Sequence, residues 1–191
     1  VTGTNGKTTV SAMLSEILRE GGYNTFLIGT EGAGSGNDPE KTGYTTPPPD
    51  ILAPLLKKAV DEKADFVIME ASSHSLDRKR LFGLRFELGI FTNLSRDHLD
   101  YHKTPESYSA AKAKLFSQCR HSVLNFDDPH AYEIAWAATD EIWYYSINDF
   151  DSDFFADNIS LSPVGVEFDF CAVGMREHIF SPLVGIYSVY N

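Results

Sequence analysis

Val1-Thr2-Gly3-Thr4-Asn5-Gly6-Lys7-Thr8-Thr9-Val10 opens the chain, and its reading decides the fold. Glycines at 3 and 6 let the backbone curl so that successive N–H groups point at one anion, and a helix starting at the lysine aims its positive end the same way. In a loop of this kind Lys7 adds a point charge at the β- and γ-phosphates, and Thr8 a hydroxyl for Mg²⁺. The spacing is GxxGK[ST], shorter than the common GxxxxGK[ST]. The alternative is a glycine turn ahead of an ordinary helix. Phosphate loops follow a buried strand, so Val1-Thr2 is expected to be the end of one, and Val1 a cut inside it or the edge of a gene fragment.

Outward from the loop, Val10, Leu14, Ile17 and Leu18 fall at helical spacing, and Gly21-Gly22 stop the helix. Phe26-Leu27-Ile28 reads as a buried strand and 29–43 as a polar, Gly-rich loop. Ile51, Leu52, Leu55, Leu56, Ala59 and Val60 mark a second amphipathic helix, and Phe66 to Met69 a strand ending at Glu70. A strand over 88–91 runs into Thr92-Asn93. Thr104-Pro105 starts a helix, since a hydroxyl caps it and the proline's missing N–H costs nothing there; that helix carries Tyr108, Lys112 and Leu115-Phe116. Strands over 122–124 and 142–145 flank a helix over 129–138. This alternation predicts an α/β fold with a mostly parallel sheet flanked by helices. Beyond about Asp149 short alternating runs such as Val166-Glu167-Phe168-Asp169-Phe170 predict a small antiparallel β flap, over 150–185, within the same 1–191 domain.

Composition narrows the function. The 191 residues carry a net charge of −11, which argues against a nucleic-acid groove, because phosphate backbones need a basic face. An acidic chain still binds a nucleotide when local amides, a lysine and a divalent metal neutralise it. No apolar run approaches a membrane span. Cys119 and Cys171 lie far apart with no CxxC partner, which predicts two structural thiols in a reducing compartment.

Three further places carry chemistry. Glu70 ends a strand, and ligands of open α/β sheets bind at the carboxyl ends of strands, so this acid is placed for metal or is a surface acid. Asp97, His98, Asp100 and His102 crowd one segment, "FTNLSRDHLDYH"; that density suits a metal site, or a satisfied Asp-His loop. Lys112 sits on the following helix, where the plain alternative is a solvated lysine.

The stretches "TGTNGKTT", "YTTP", "MEASSHSL", "FTNLSRDHLDYH", "YSAAKAKLF", "LNFDDP" and "PLVGIYSVYN" together resemble the Mur ligases, in family order from first residue to last. Within that family "NLSRDHLDYH" with "AKAKLF" behind it resembles the branch that adds the third residue of the peptidoglycan stem peptide. The resemblance implies the central ATPase domain of a three-domain, monomeric, cytoplasmic enzyme, with a preceding uridine-nucleotide domain and a following Rossmann-like domain that admits the amino acid. It implies ATP and two Mg²⁺ ions. It also implies that the D-glutamate carboxylate of UDP-N-acetylmuramoyl-L-alanyl-D-glutamate is activated as an acyl phosphate and attacked by the amine of L-lysine or meso-diaminopimelate. Other Mur ligases and folate polyglutamate ligases share the short loop, and a nucleotide-binding module without chemistry is the alternative of another class.

By the same resemblance Gly3, Thr4, Asn5, Gly6, Lys7, Thr8 and Thr9 hold ATP, with Asn125 and Asp128 near the base. Thr8, Glu70 and His98 bind magnesium, and Lys112 does so as a carbamate, its bare ammonium having the wrong charge for a ligand. Lys7, Glu70, His98 and Lys112 form the catalytic set, and Thr45, Thr46, Ser72 and Arg80 contact the muramoyl dipeptide. Arg78 stands where some relatives have Gln, Lys103 where Gly is usual, and Ser188 where Asn is usual.

Overall fold

Backbone pairing puts Val1-Thr2 in the middle of a sheet. Val1 N donates to Met69 O (2.8 Å) and Ala71 N to Val1 O (2.8 Å). On the other side Thr2 N donates to Ile90 O (2.8 Å) and Thr92 N to Thr2 O (3.0 Å). The computed structural model describes residues 1–36, 39–95 and 99–191.

The chain continues through α1 (Lys7–Glu20), β1 (Thr25–Gly29), β2 (Gly32–Gly34), α2 (Pro49–Asp61), β3 (Phe66–Met69) and α3 (Ser73–Asp77). It then forms β4 (Phe86–Phe91), α4 (Leu99–His102), α5 (Pro105–Ala113), β5 (Cys119–Asn125), α6 (Ala131–Ala135) and β6 (Glu141–Ser146). Strands β7 (Phe154–Ser162), β8 (Gly165–Ala172) and β9 (Met175–Ser181) follow, and α7 (Tyr187–Tyr190) ends it. One section of sheet runs β2-β1-β3 and the other β4-β5-β6-β7-β8-β9; Val1-Thr2 joins them through β3 and β4. Pairs β1–β3, β4–β5, β5–β6 and β6–β7 are parallel, and β7–β8–β9 are antiparallel. The expected α/β class, with a parallel sheet and an antiparallel C-terminal part, holds.

Burial follows from helices covering both faces. Phe26 and Ile28 of β1, Phe91 of β4 and Leu124 of β5 are fully enclosed, with Leu52, Leu55 and Ala59 of α2 and Phe116 packed in the same core. Thr104 caps α5 as expected: its side chain accepts from Ser107 N at 3.2 Å, and Pro105 opens the helix. Cys119 and Cys171 are free and buried, and burial pushes the Cys119 thiol up to about 12. No helix among the described residues is long and apolar enough to cross a membrane.

Some local expectations are corrected. The 29–43 loop contains β2, which pairs antiparallel with β1, and Ala33 bridges Glu40; short Gly-rich strands lack the alternation that reveals a strand. Leu115 and Phe116 lie beyond α5, with Leu115 preceding and Phe116 opening a tighter turn over Phe116–Gln118. The 129–138 helix is confined to α6, and α3 and α7 were not expected, being too short for a periodic signal. Lys103 has φ 63°, which explains why glycine suits that position.

In the flap, Asp169 accepts from Asn158 Nδ2 (2.8 Å), His178 Nδ1 (2.9 Å) and Arg176 Nη2 (2.9 Å). Asn158 first, then His178 and Arg176, hold its carboxyl well below the usual carboxylate range. A carboxyl depressed in the folded state contributes stability above its unfolded value of about 4, and loses it as pH falls toward the folded value. Asp169→Asn is therefore expected to lower the thermal midpoint near neutral pH by no more than a few degrees, as for other exposed ion pairs. The gap to the wild type should narrow as pH drops below about 4; a gap that widens in acid would contradict the sign.

Candidate active site

The phosphate-loop segment is anchored by backbone and neighbouring hydroxyls. Thr4 N donates to Asn93 O (2.8 Å), and Thr92 Oγ1 donates to Asn5 O (2.6 Å). A Cβ on Gly3 would collide with Thr92 Oγ1, and one on Gly6 would stand 2.5 Å from Asn191 Oδ1; both glycines have positive φ (153° and 87°). Only glycine fits this approach. No side chain caps α1, and Val10 N is bonded to Gly6 O at 2.8 Å. Among the described residues the amides of Gly6, Thr8 and Thr9 have no protein acceptor. Together with the start of a helix this makes an anion cradle. Lys7 Nζ donates to Gly3 O (3.0 Å) and Thr4 O (2.9 Å), so its ammonium lies along the loop.

Glu70 lies just past β3 with 1% of its surface exposed, which removes the surface-acid reading. Its Oε2 accepts from Thr8 Oγ1 (2.9 Å) and Thr30 Oγ1 (3.1 Å), and Oε1 from Thr30 N (2.8 Å). A buried carboxylate whose hydrogen-bond donors among the described residues are all neutral is a place for a cation. Thr30 was not singled out in the sequence; its position right after a strand's carboxyl end was the available signal. Among the described residues no group of three His, Cys, Asp or Glu side chains converges on a metal position. Asp97 and His98 lie outside the described residues, as does the side chain of Asp100.

Gly29 keeps Glu70 in place. A Cβ there would collide with Glu70 Oε1 and stand 2.9 Å from Cδ. Gly29→Ala is expected to push the carboxylate off Thr8 and Thr30, at a cost of about 1–3 kcal/mol in stability, and to weaken Mg²⁺-dependent nucleotide binding. Calorimetric titration with and without Mg²⁺ checks this; unchanged Mg²⁺ dependence would refute it.

Lys112 is also 1% exposed, so the solvated-lysine reading fails. From α5 its Nζ donates to Gly3 O (2.7 Å) and lies 4.5 Å from the centre of the Tyr108 ring. Tyr108, which the sequence marked only as a helix residue and not as part of the site, meets Thr4 Oγ1 through its hydroxyl at 3.1 Å. His102 turns toward α3, its Nε2 2.9 Å from Ser73 Oγ and its ring 5.0 Å from Tyr108.

The residues expected around the dipeptide come together. Thr46 Oγ1 donates to Glu70 O (2.7 Å) and accepts from Ser72 N (3.0 Å), and Arg80 Nη1 donates to Thr46 O (2.9 Å). Ser72 caps α3 through Ser75 N (3.3 Å), and Thr45 Oγ1 lies 3.0 Å from Thr30 Oγ1. Arg78 sits over the Tyr101 ring at 5.5 Å, and Ser188 Oγ donates to Val184 O at 3.0 Å. Asn125 and Asp128 are buried and brace the segment after β4. Asn125 Nδ2 donates to Thr92 O (2.7 Å), and Asp128 Oδ2 accepts from Leu94 N (2.7 Å).

The family profile described as Mur ligase middle domain matches residues 1–191. The chain is 41% identical over 191 residues to UDP-N-acetylmuramoyl-L-alanyl-D-glutamate–2,6-diaminopimelate ligase 1 of Clostridium acetobutylicum, covering all of this chain and 39% of that protein. It is 40% identical over 198 residues to UDP-N-acetylmuramoyl-L-alanyl-D-glutamate–L-lysine ligase of Staphylococcus haemolyticus, again covering all of this chain and 40% of that one. A solved structure of a UDP-N-acetylmuramoyl-L-alanyl-D-glutamate–2,6-diaminopimelate ligase superposes with a TM-score of 0.90 at 34% identity, over 98% of this chain and 39% of the other. The fold alone is shared with a MurF ligase from Thermotoga maritima, at TM-score 0.71 and 16% identity over 100% of this chain and 42% of that one. The chain thus spans about two fifths of the length of the curated relatives it matches.

Proposed function

This chain belongs to the Mur ligase middle-domain family, and from that premise we propose that it is the ATP-binding part of a three-domain ligase that adds a diamino acid to UDP-N-acetylmuramoyl-L-alanyl-D-glutamate. The reaction turns the D-glutamate carboxylate into an acyl phosphate at the expense of ATP. The amine of L-lysine or meso-diaminopimelate then forms the amide and releases phosphate. We place the enzyme in the cytoplasm and take it to act as a monomer. The observation that carries the reading is the 2.9 Å bond between Thr8 of the phosphate loop and the enclosed carboxylate of Glu70. Phosphate cradle and cation position are thereby adjacent.

In this reading the free amides of Gly6, Thr8 and Thr9 and the ammonium of Lys7 take the phosphate oxygens, Lys7 exchanging loop carbonyls for phosphate. Thr8 and Glu70 hold magnesium with His98, and bound magnesium supplies charge neutralisation for phosphoryl transfer. Two ions are proposed, the second held by Lys112 as a carbamate. Carbamylation adds CO₂ to the neutral amine, and two protons leave in going from ammonium to carbamate. One N–H remains, so the bond to Gly3 O is compatible with the modified side chain. Thr45, Thr46, Ser72 and Arg80 orient the muramoyl dipeptide next to Glu70, and Asn125 and Asp128 support the segment near the base.

The full-length protein tests this. ADP release should require both UDP-N-acetylmuramoyl-L-alanyl-D-glutamate and a diamino acid. Release that answers to a folate and glutamate instead, or no release with any acceptor, would refute it. The 191-residue chain by itself should make no tripeptide, because the substrates are no longer held together.

A further inference from the structure

At the amino ends of β4 and β5 lies a hollow of about 620 Å³. The phosphate loop meets the opposite, carboxyl end of β4 at Asn93, so the six residues of that strand separate the two places, roughly 20 Å at about 3.3 Å per residue. The volume falls within the range of small-molecule sites, about 300–1,000 Å³.

The lining combines an apolar base with charge. Leu76 and Leu81 are buried there, while Phe82 stands 82% exposed. Lys79, Arg85 and Lys114 also border the hollow. Lys114 is tied to Asp77 at 2.7 Å. Lys79 and Arg85 have no carboxylate partner among the described residues, in a chain whose net charge is −11. Where acids outnumber bases, two neighbouring cations left unpaired are a local departure, and they favour an anion.

One further detail points to an occupant. Lys79 closes α3 with φ 56°: Arg80 N donates to Ser75 O (2.8 Å) and Lys79 N to Leu76 O (3.2 Å). This is the helix-ending position that glycine fills at least cost, yet a long cation occupies it at the cavity rim. Gln118, on the wall, donates through Nε2 to Lys114 O (3.2 Å) and so fixes that side of the hollow.

We propose that this hollow binds a small organic carboxylate with an aromatic or branched apolar body. The carboxylate lies between Lys79 and Arg85, and the apolar body packs on Phe82 over the base formed by Leu81. The site is independent of the ligation chemistry and stands or falls separately from it.

The test is a ¹H–¹⁵N titration of the 191-residue chain with N-acetyl-L-phenylalanine, beside its uncharged twin N-acetyl-L-phenylalaninamide. Saturable shifts are expected at Leu76 to Arg85 and Lys114 to Gln118, unchanged by excess Mg²⁺-ATP. The acid should bind at least about fivefold more tightly than the amide, a difference in keeping with two solvent-facing charge contacts. K79Q/R85Q should reduce the acid to the affinity of the amide. No saturable shift, equal affinities in the wild type, or shifts confined to the phosphate loop would overturn the proposal. The wild-type comparison of acid and amide decides even if the double variant folds poorly.

Discussion

Lys7→Ala in the full-length protein is expected to slow ligation by roughly 10²–10³ while leaving the fold intact. Lys7 is the one side-chain cation of the loop, held along it by Gly3 O (3.0 Å) and Thr4 O (2.9 Å). The phosphoryl group would then lose the one side-chain cation that this chain aims at it, keeping only the loop amides and the metal. Donors aimed at developing charge are worth about 3–4 kcal/mol, or roughly 10²–10³ in rate. Stability should suffer little, because Gly3 O keeps its 2.7 Å bond from Lys112 Nζ. Single-turnover ADP formation, paired with a circular-dichroism melt, separates the two effects. Near-normal turnover would mean that the phosphates are held elsewhere.

Lys112→Ala should be as damaging to catalysis and more damaging to the fold. Its side chain is among the largest fully enclosed ones, so truncation leaves a cavity costing about 2–5 kcal/mol, and the melting temperature should drop. The catalytic defect distinguishes two chemistries. If the side chain acts as a carbamate, acetate or propionate added to the variant should restore part of the activity, a small carboxylate standing where the carbamate oxygens were. If it acts as an ammonium, as its 4.5 Å approach to the Tyr108 ring would suit, ethylamine should rescue instead. Amine rescue would eliminate the carbamate.

Much of this molecule is written locally. The glycines at 3 and 6, the lysine and the threonine are contiguous, and a short loop whose conformation is set by positive φ needs little from the rest of the chain to be recognised. The parallel sheet was legible because β1 and β3 are short apolar runs separated by helices of regular period, and the α5 start because a capping threonine and a proline act within one turn. Short elements escaped: β2 has three residues and α3 five, below the length at which periodicity is a signal.

What residue spacing could not decide is burial and partnership. Glu70 read equally well as a surface acid and Lys112 could be a solvated lysine, since a charged side chain looks the same in sequence whether water or a loop carbonyl surrounds it. Only packing encloses them, through Thr30 from the end of β1, Gly3 from the loop and Tyr108 beneath the ammonium, over separations of 40, 109 and 4 residues. Likewise Val1-Thr2 means little as two residues, but its bonds to Met69, Ala71, Ile90 and Thr92 join the two sections of sheet. The sequence by itself determined the glycine-rich loop ahead of α1 and the α/β class, because those depend on local backbone conformation and short-range periodicity. The tertiary structure decided which charges were removed from water and what they face, because contacts between distant segments form only when the chain closes on itself.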